Sequence, residues 1–267
     1  MQRKAKKGGA RLKIAIVQEK GGSGKTPTAV HLAYALSYRG KEVLLVDLDA
    51  QATASQHLLG PGYKEAQSTV YNALVTLEPI PPIFVQDHFF LLSAHDELEK
   101  AEIELPRPGA FYQVQLTKVL KEYRQFQYVV IDTPGSRVSI FATLALTAAD
   151  LVIVPCKTEI SHYYATIDTM NLVEDVRGGL NPNLVVWGIL PTQYEAKIKH
   201  HQEVFDLVKE IPGPQAKPYP VYEIPSRKTT KYNDATAMRI DARQLDPALG
   251  QYWDAVAASV LDGTGKG

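Results

Sequence analysis

The chain has 267 residues, 45% apolar and 22% charged, with a formal net charge of zero at neutral pH, which suits one large globular domain or at most two small ones. The balanced charge gives no global case for nucleic-acid binding, and no apolar run approaches the ~20 residues needed to span a bilayer. The single cysteine, Cys156, excludes an internal disulfide or a cysteine-held iron–sulfur cluster and is expected of a cytosolic chain.

Residues 1–11 read as a basic tail. Arg3, Lys4, Lys6, Lys7, Arg11 and Lys13 arrive before any acid, so the segment is either solvated or an arm lying on DNA phosphates. No apolar stretch long enough for a signal peptide follows it. Residues 12–267 read as a single domain. A first strand is expected at 11–17, then a helix at 27–39 with Ala29, Leu32, Ala33 and Leu36 on one face and Gly40 as its stop. Short apolar runs at 43–46, 128–131, 151–154 and 184–190 read as strands buried on both faces. Helical patterns near 67–76, 111–123, 137–148, 163–178 and 199–210 separate them. Alternation of this kind implies right-handed crossovers and a doubly wound, mostly parallel α/β sheet flanked by helices. Residues 211–225 hold five prolines and read as an extended connector. A short helix is expected at 228–237 and a last one at 246–262, with Leu249, Tyr252, Val256 and Val260 at helical spacing.

Three segments carry chemistry, all at expected strand ends, where such sheets bind their ligands. The stretch 14–28, IAIVQEKGGSGKTPT, is strand, glycine loop, helix. Gly21, Gly22 and Gly24 around Ser23 let successive N–H groups turn inward, and the helix N-terminus adds partial positive charge. Lys25 is placed to reach terminal phosphates and Thr26 to ligate Mg²⁺. Gly24, Lys25 and Thr26 fit the pattern G-x-x-x-x-G-K-[ST]; Glu19 stands where its first glycine belongs, and a second lysine, Lys20, opens the loop. After the second strand comes VDLDAQ, with Asp47 and Asp49 two residues apart, able to reach a phosphate pocket together. After the third comes YVVIDTP, whose Asp132 is placed to hold Mg²⁺ through water.

The loop KGGSGKT resembles the deviant Walker A motif of the ParA/MinD family of P-loop ATPases. VDLDAQ resembles that family's D-x-D-x-Q segment, and YVVIDTP its Walker B segment. The likeness extends over residues 12 to about 262, through AEIEL at 101–105, ALTAADLVIVP at 145–155 and LDP at 245–247. It points to the ParA branch without an N-terminal helix-turn-helix domain. The resemblance implies a P-loop NTPase fold and Mg²⁺-dependent ATP hydrolysis. It implies that Lys20 reaches across a homodimer to the partner's nucleotide, with Lys25 clamping the phosphates. Gly21, Gly22, Ser23, Gly24, Lys25, Thr26 and Pro27 would surround the phosphates; Pro191 and Thr192 are candidate base contacts from their position just past the fifth strand alone. Asp49 would orient the attacking water; Thr26, Asp47 and Asp132 would form the metal shell. The ATP-bound dimer would bind nonspecific DNA, in the cytoplasm on the nucleoid, and a ParB-like or adaptor protein would stimulate hydrolysis.

One departure concerns Pro27, where the family usually has Thr or Ser. Proline lacks the N–H that typically donates to the α-phosphate there, although it suits a first helical turn. Arg227, Lys228 and Lys231 are the candidate DNA contacts, with Arg239 and Arg243 extending the patch and Asp234 and Asp241 offsetting it; Arg227→Glu is expected to abolish DNA retention and spare ATP binding. His200 and His201 read as surface residues, Cys156 as core, 96–104 as an exposed helix face, and Tyr163 and Tyr164 as packing. A membrane-associated MinD-like role would need a basic amphipathic C-terminal helix. The tail instead carries Asp254 and Asp262, with no Lys or Arg before Lys266. Lys20 argues against a small-molecule ligase or amidotransferase, and a tail with Tyr252 alone argues against a tyrosine autokinase.

Overall fold

A computed structural model describes residues 12–65, 68–107, 111–136 and 139–263. The expected basic tail at 1–11 and the tail beyond residue 263 lie outside those limits.

The apolar runs fold as strands β1 (Leu12–Ile16), β2 (Val43–Asp47), β5 (Tyr128–Asp132), β6 (Leu151–Lys157) and β7 (Val185–Thr192). Two further strands, β3 (Ile83–Gln86) and β4 (Phe89–Leu92), were not expected. They form an antiparallel hairpin whose turn includes His88 at φ 66°. The seven strands form one sheet in the order β3-β4-β2-β5-β1-β6-β7. All neighbours are parallel except β3 and β4.

Alternation along the strands builds a core on each face. Ala15, Leu44, Val46, Val129, Ile131, Val152 and Val154 face one side, whereas Ile14, Ile16, Val43, Leu45, Val130 and Ile153 face the other. All are fully buried, which is why these strands read as continuous apolar runs rather than alternating ones.

Helix α1 (Lys25–Tyr38) begins two residues before the expected start, because Gly24 caps it in the left-handed region at φ 94°. Helix α2 (Thr53–Leu59), unexpected from the sequence, follows β2. The expected helices appear as α3 (Val70–Thr76), α5 (Gln115–Leu120), α6 (Ile140–Ala148), α7 (Ile160–Gly179) and α8 (Lys199–Lys209). The acidic stretch gives α4 (Leu98–Glu104), which buries Leu98 and Ala101 and exposes Ile103. The proline-rich connector makes one 3-10 turn, Pro214–Ala216, before α9 (Lys231–Met238) and α10 (Pro247–Leu261). Asp246 caps α10 with Pro247 in its first turn, and Leu249, Val256 and Val260 are buried.

Helix α10 packs on α1 beside a buried polar network. His31 Nδ1 lies 3.0 Å from Asp241 Oδ1, Arg243 Nε donates to Asp241 Oδ2 at 2.9 Å, and the Arg243 guanidinium pairs with Asp254. Burial works against ionisation of Asp241, but the hydrogen bonds from His31 and Arg243 hold its carboxyl below the ordinary range. Arg243 therefore belongs to the helix-docking network and not to a surface patch. Among the described residues no helix is long and apolar enough to cross a membrane.

Candidate functional site

The sheet places the three motif segments side by side. In register, β1 Ile16 pairs with Asp132, and β2 Asp47 pairs with the same Asp132. The glycine loop, Asp47 and Asp132 thus emerge together from the carboxyl edge. The front of the loop is anchored to α7: Gln18 donates to Thr166 Oγ1 at 2.9 Å, Thr169 donates to Gln18 Oε1 at 2.8 Å, and the Glu19 N–H donates to Thr169 at 3.2 Å.

In the loop itself the N–H groups of Gly21, Gly22, Ser23 and Gly24 donate to no backbone carbonyl among the described residues. Backbone donors are normally satisfied, so this concavity suits an anionic oxygen-rich ligand at the N-terminus of α1. Gly24 is required twice over. Its φ is positive, and a Cβ would meet the Thr192 side chain at 3.3 Å. At Gly135 the need is close approach, since a Cβ there would sit 2.8 Å from the Gly21 backbone and 2.9 Å from Lys25 Nζ.

Lys25 is buried, and its ammonium donates to the Lys20 carbonyl at 3.1 Å. Burial lowers its pKa, against the opposing charges of Asp132 and Asp49. Asp132 is fully buried, and neither carboxylate oxygen makes a well-formed hydrogen bond among the described residues, although the Thr26 hydroxyl stands close enough to favour its ionised form. Burial, and then the neighbouring charge of Asp47, push its pKa well above the ordinary carboxylate value. An unsatisfied buried carboxylate beside a buried lysine is the environment a bound cation relieves. Asp47 differs. Its Oδ1 accepts from the Asp49 N–H at 3.1 Å, and its Oδ2 accepts from the Ser55 N–H at 2.9 Å and hydroxyl at 2.7 Å. Burial still raises it to about 6. Of the two carboxylates, Asp132 has the open lone pairs. Asp49 is half-buried, with Oδ1 capping the Gln51 N–H at 2.9 Å, and its charge reaches both Lys25 and Asp132. No cluster of three or more His, Cys, Asp or Glu suited to a metal exists among the described residues. A cation here would be held by the Thr26 hydroxyl and Asp132 together with ligand oxygens and water, the oxygen-rich set Mg²⁺ prefers.

Beside the loop lies a cavity of about 440 Å³, walled by Gly24, Pro27, Thr192, Arg227, Lys228 and Trp253 among others. Thr192, the candidate base contact, is one of its lining residues. The opposite wall was not anticipated. The Ser226 N–H donates to the Pro191 carbonyl at 2.8 Å, Tyr194 N–H to Ser226 at 2.9 Å and Lys228 N–H to Tyr194 at 3.1 Å, so residues 226–228 lie alongside the end of β7.

The expected basic patch is dispersed into ion pairs: Arg227 with Asp246, Lys228 with Glu195 at 2.8 Å and Lys231 with Asp234 at 3.5 Å. Arg239 lies against Gly60, where a Cβ would meet its guanidinium. His201, expected at the surface with His200, is buried and accepts the Glu195 N–H at 3.1 Å. Cys156 is core, and burial pushes its thiol up to about 12. Tyr163 packs edge-on to Tyr164, but Tyr164 remains exposed.

Sequence reasoning passed over three residues that touch the site. His162, on the first turn of α7, is buried with Nε2 3.2 Å from the Gly21 carbonyl, and burial above all lowers its pKa. Gln193 donates to the Gly22 carbonyl, and Ser55 holds Asp47. None of the three sits in a recurring motif, so no signal in the sequence singled them out.

A family model described as an AAA domain matches residues 11–186. The chain is 34% identical over 197 residues to the chromosome partitioning protein ParA of Caulobacter vibrioides, covering 72% of this chain and 73% of that protein. It is 39% identical over 196 residues to the chromosome-partitioning ATPase Soj of Thermus thermophilus, again covering 72% and 73%. Among solved structures it is similar to cobyrinic acid a,c-diamide synthase from Mycobacterium smegmatis with bound ATP analogue and magnesium. That match has TM-score 0.75 and 28% identity, and covers 91% of this chain and 96% of the other.

Proposed function

This chain belongs to the ParA family of P-loop ATPases, and from that premise we propose that it is an ATP-driven dimerising switch for DNA partition or cargo positioning. Its cofactors are ATP and Mg²⁺. The observation that carries the reading is the Lys25 ammonium set on the Lys20 carbonyl across a glycine turn whose N–H groups meet no backbone acceptor among the described residues, beside the buried carboxylate of Asp132.

In this reading the loop amides and Lys25 bind the β- and γ-phosphates. Lys25 leaves the Lys20 carbonyl to do so, exchanging a neutral acceptor for a charged one. Thr26 and Asp132 hold Mg²⁺, which when bound neutralises phosphate charge and orients the γ-phosphoryl group. Asp47 stays tied to Ser55 and adds negative charge behind Asp132. Asp49, on the half-exposed turn after β2, positions the water for in-line attack. Lys20 contributes in trans to the nucleotide of a second copy, so closure of the dimer completes the site. The cavity between Thr192 and Trp253 takes the nucleoside.

The ATP-bound dimer binds nonspecific DNA, with Lys231 and its neighbours exchanging carboxylate partners for phosphates, and a ParB-like or adaptor protein stimulates hydrolysis. The identities of 34–39% to partition proteins favour this role over that of the amide-forming neighbour. Light scattering coupled to size exclusion tests it. With ATP and Mg²⁺ the parent is expected to double in mass and Lys20→Ala to stay monomeric, and nonspecific DNA is expected to raise the ATPase rate of the parent. A Lys20→Ala protein that dimerises like the parent would remove the basis of the reading.

A further inference from the structure

The carbonyls of the glycine loop are capped one after another. The Lys20 carbonyl accepts from Lys25 Nζ at 3.1 Å. The Gly21 carbonyl lies 3.2 Å from His162 Nε2, which must carry its proton to donate there. The Gly22 carbonyl accepts from Gln193 Nε2 at 2.7 Å, and the Ser23 carbonyl from Thr192 Oγ1 at 2.7 Å. The Gly24 carbonyl accepts from the Thr28 N–H at 3.0 Å and hydroxyl at 2.7 Å. A trans peptide is planar, so fixing each carbonyl outward turns the N–H of the next residue to the opposite side. The donors from outside the loop, His162, Gln193 and Thr192, therefore aim the amides of Gly22, Ser23 and Gly24 inward.

We propose that His162, Thr192 and Gln193 form a collar of positioning residues that holds the phosphate loop in its binding conformation before any ligand arrives. The collar rests on the nucleotide-binding reading above. Its donors come from α7 and from the end of β7, and the two are joined: the Thr158 N–H donates to the Thr192 carbonyl at 3.2 Å and the Thr158 hydroxyl reaches the Gln193 carbonyl at 3.4 Å. Gln193 holds a left-handed backbone at φ 54°, a conformation with a cost for a residue bearing a Cβ. That conformation delivers its amide to the Gly22 carbonyl. The strain serves a contact with the loop, since Gln193 itself is only half-buried.

The strain also separates a positioning role from a structural one. Gln193→Gly keeps the left-handed turn and deletes the donor. It is expected to raise the dissociation constant of a fluorescent ATP analogue with Mg²⁺ about fivefold, the size of one hydrogen bond, while the melting temperature without nucleotide holds or rises. His162→Ala is expected to weaken binding by a similar factor. His162→Gln, which restores an N–H donor, is expected to recover most of that loss. Parent-like binding by Gln193→Gly, a melting temperature that falls along with affinity, or no rescue by His162→Gln would each overturn the collar and leave the ATPase reading standing. A parent protein that does not bind the analogue would overturn both.

Discussion

Pro27 follows directly on the Gly24-Lys25-Thr26 of the phosphate loop. It stands in the first turn of α1, where backbone N–H groups lack intrahelical partners, so the helix tolerates it. It also lines the cavity beside the loop, where the missing donor would have faced a bound phosphate. Pro27→Thr is expected to tighten ATP binding roughly tenfold, from one hydrogen bond to a charged group worth about 1.5 kcal/mol; titration calorimetry with an unchanged or weaker dissociation constant would refute this. The basic residues need a different choice of variant. Arg227 and Lys228 wall the cavity, so Arg227→Glu is now expected to disturb nucleotide binding as well as DNA. Lys231, on the first turn of α9, has a largely exposed side chain that pairs with Asp234 among the described residues. Lys231→Glu is expected to weaken ATP-dependent DNA retention severalfold and leave nucleotide affinity within about twofold, because an exposed pair contributes little to the fold. A gel shift matching the parent would remove Lys231 from the interface.

At the scale of elements, the chain ties its phosphate-loop helix to its C-terminal helix through polar groups. Asp241 is buried and bonded to His31 of α1 and to Arg243, and Arg243 in turn holds Asp254 of α10. Its guanidinium also lies 4.2 Å from the centre of the Tyr38 ring. Removing one member of a buried charged network leaves the others unpaired, which typically costs 3–5 kcal/mol. Asp241→Ala is expected to lower stability by about 3 kcal/mol, read as a shift in the urea midpoint at unchanged slope. An unmoved midpoint would show that α10 docks by its apolar face alone. The sequence announced both helices through their spacing, but set Asp241 and Arg243 on a solvated face. Nothing local distinguishes a charge that meets a partner 210 residues away.

At the scale of the molecule, buried titratable groups pull stability in opposite directions with pH. His57 is almost completely buried, Nε2 donates to the Ile240 carbonyl, and desolvation lowers its pKa from 6.5 to about 4. Between those values the unfolded chain binds a proton that the folded chain refuses. The contribution is thus complete above about pH 6.5 and is lost as pH falls through 4, amounting to at most about 3 kcal/mol. Asp47, raised to about 6, acts oppositely, because the folded form keeps a proton there that the unfolded form has released. The comparison to make is therefore between the parent and His57→Gln across pH 7 to 4. The parent is expected to lose more stability than the variant over that range. Superimposable pH profiles would show that His57 accepts its proton in the folded state without penalty.

Local chemistry determined much of this protein. A run of buried β-branched residues, a glycine turn, two lysines and strand-terminal acids specify their own conformations and neighbours, so the parallel sheet and the phosphate loop could be read from order alone. The hairpin of β3 and β4 could not, because its strands are short and the Asp87–His88 turn lacks the glycine that marks tight hairpins. Nor could the second ring of the site. His162 and Gln193 reach the loop, and residues 226–228 reach the end of β7, only because the fold brings distant segments to one edge, whereas Ser55 meets Asp47 from the start of the next helix. Hydrogen bonds between residues 141 and 171 positions apart leave no periodicity in the chain, and only the assembled sheet decided which of many polar side chains would meet the loop.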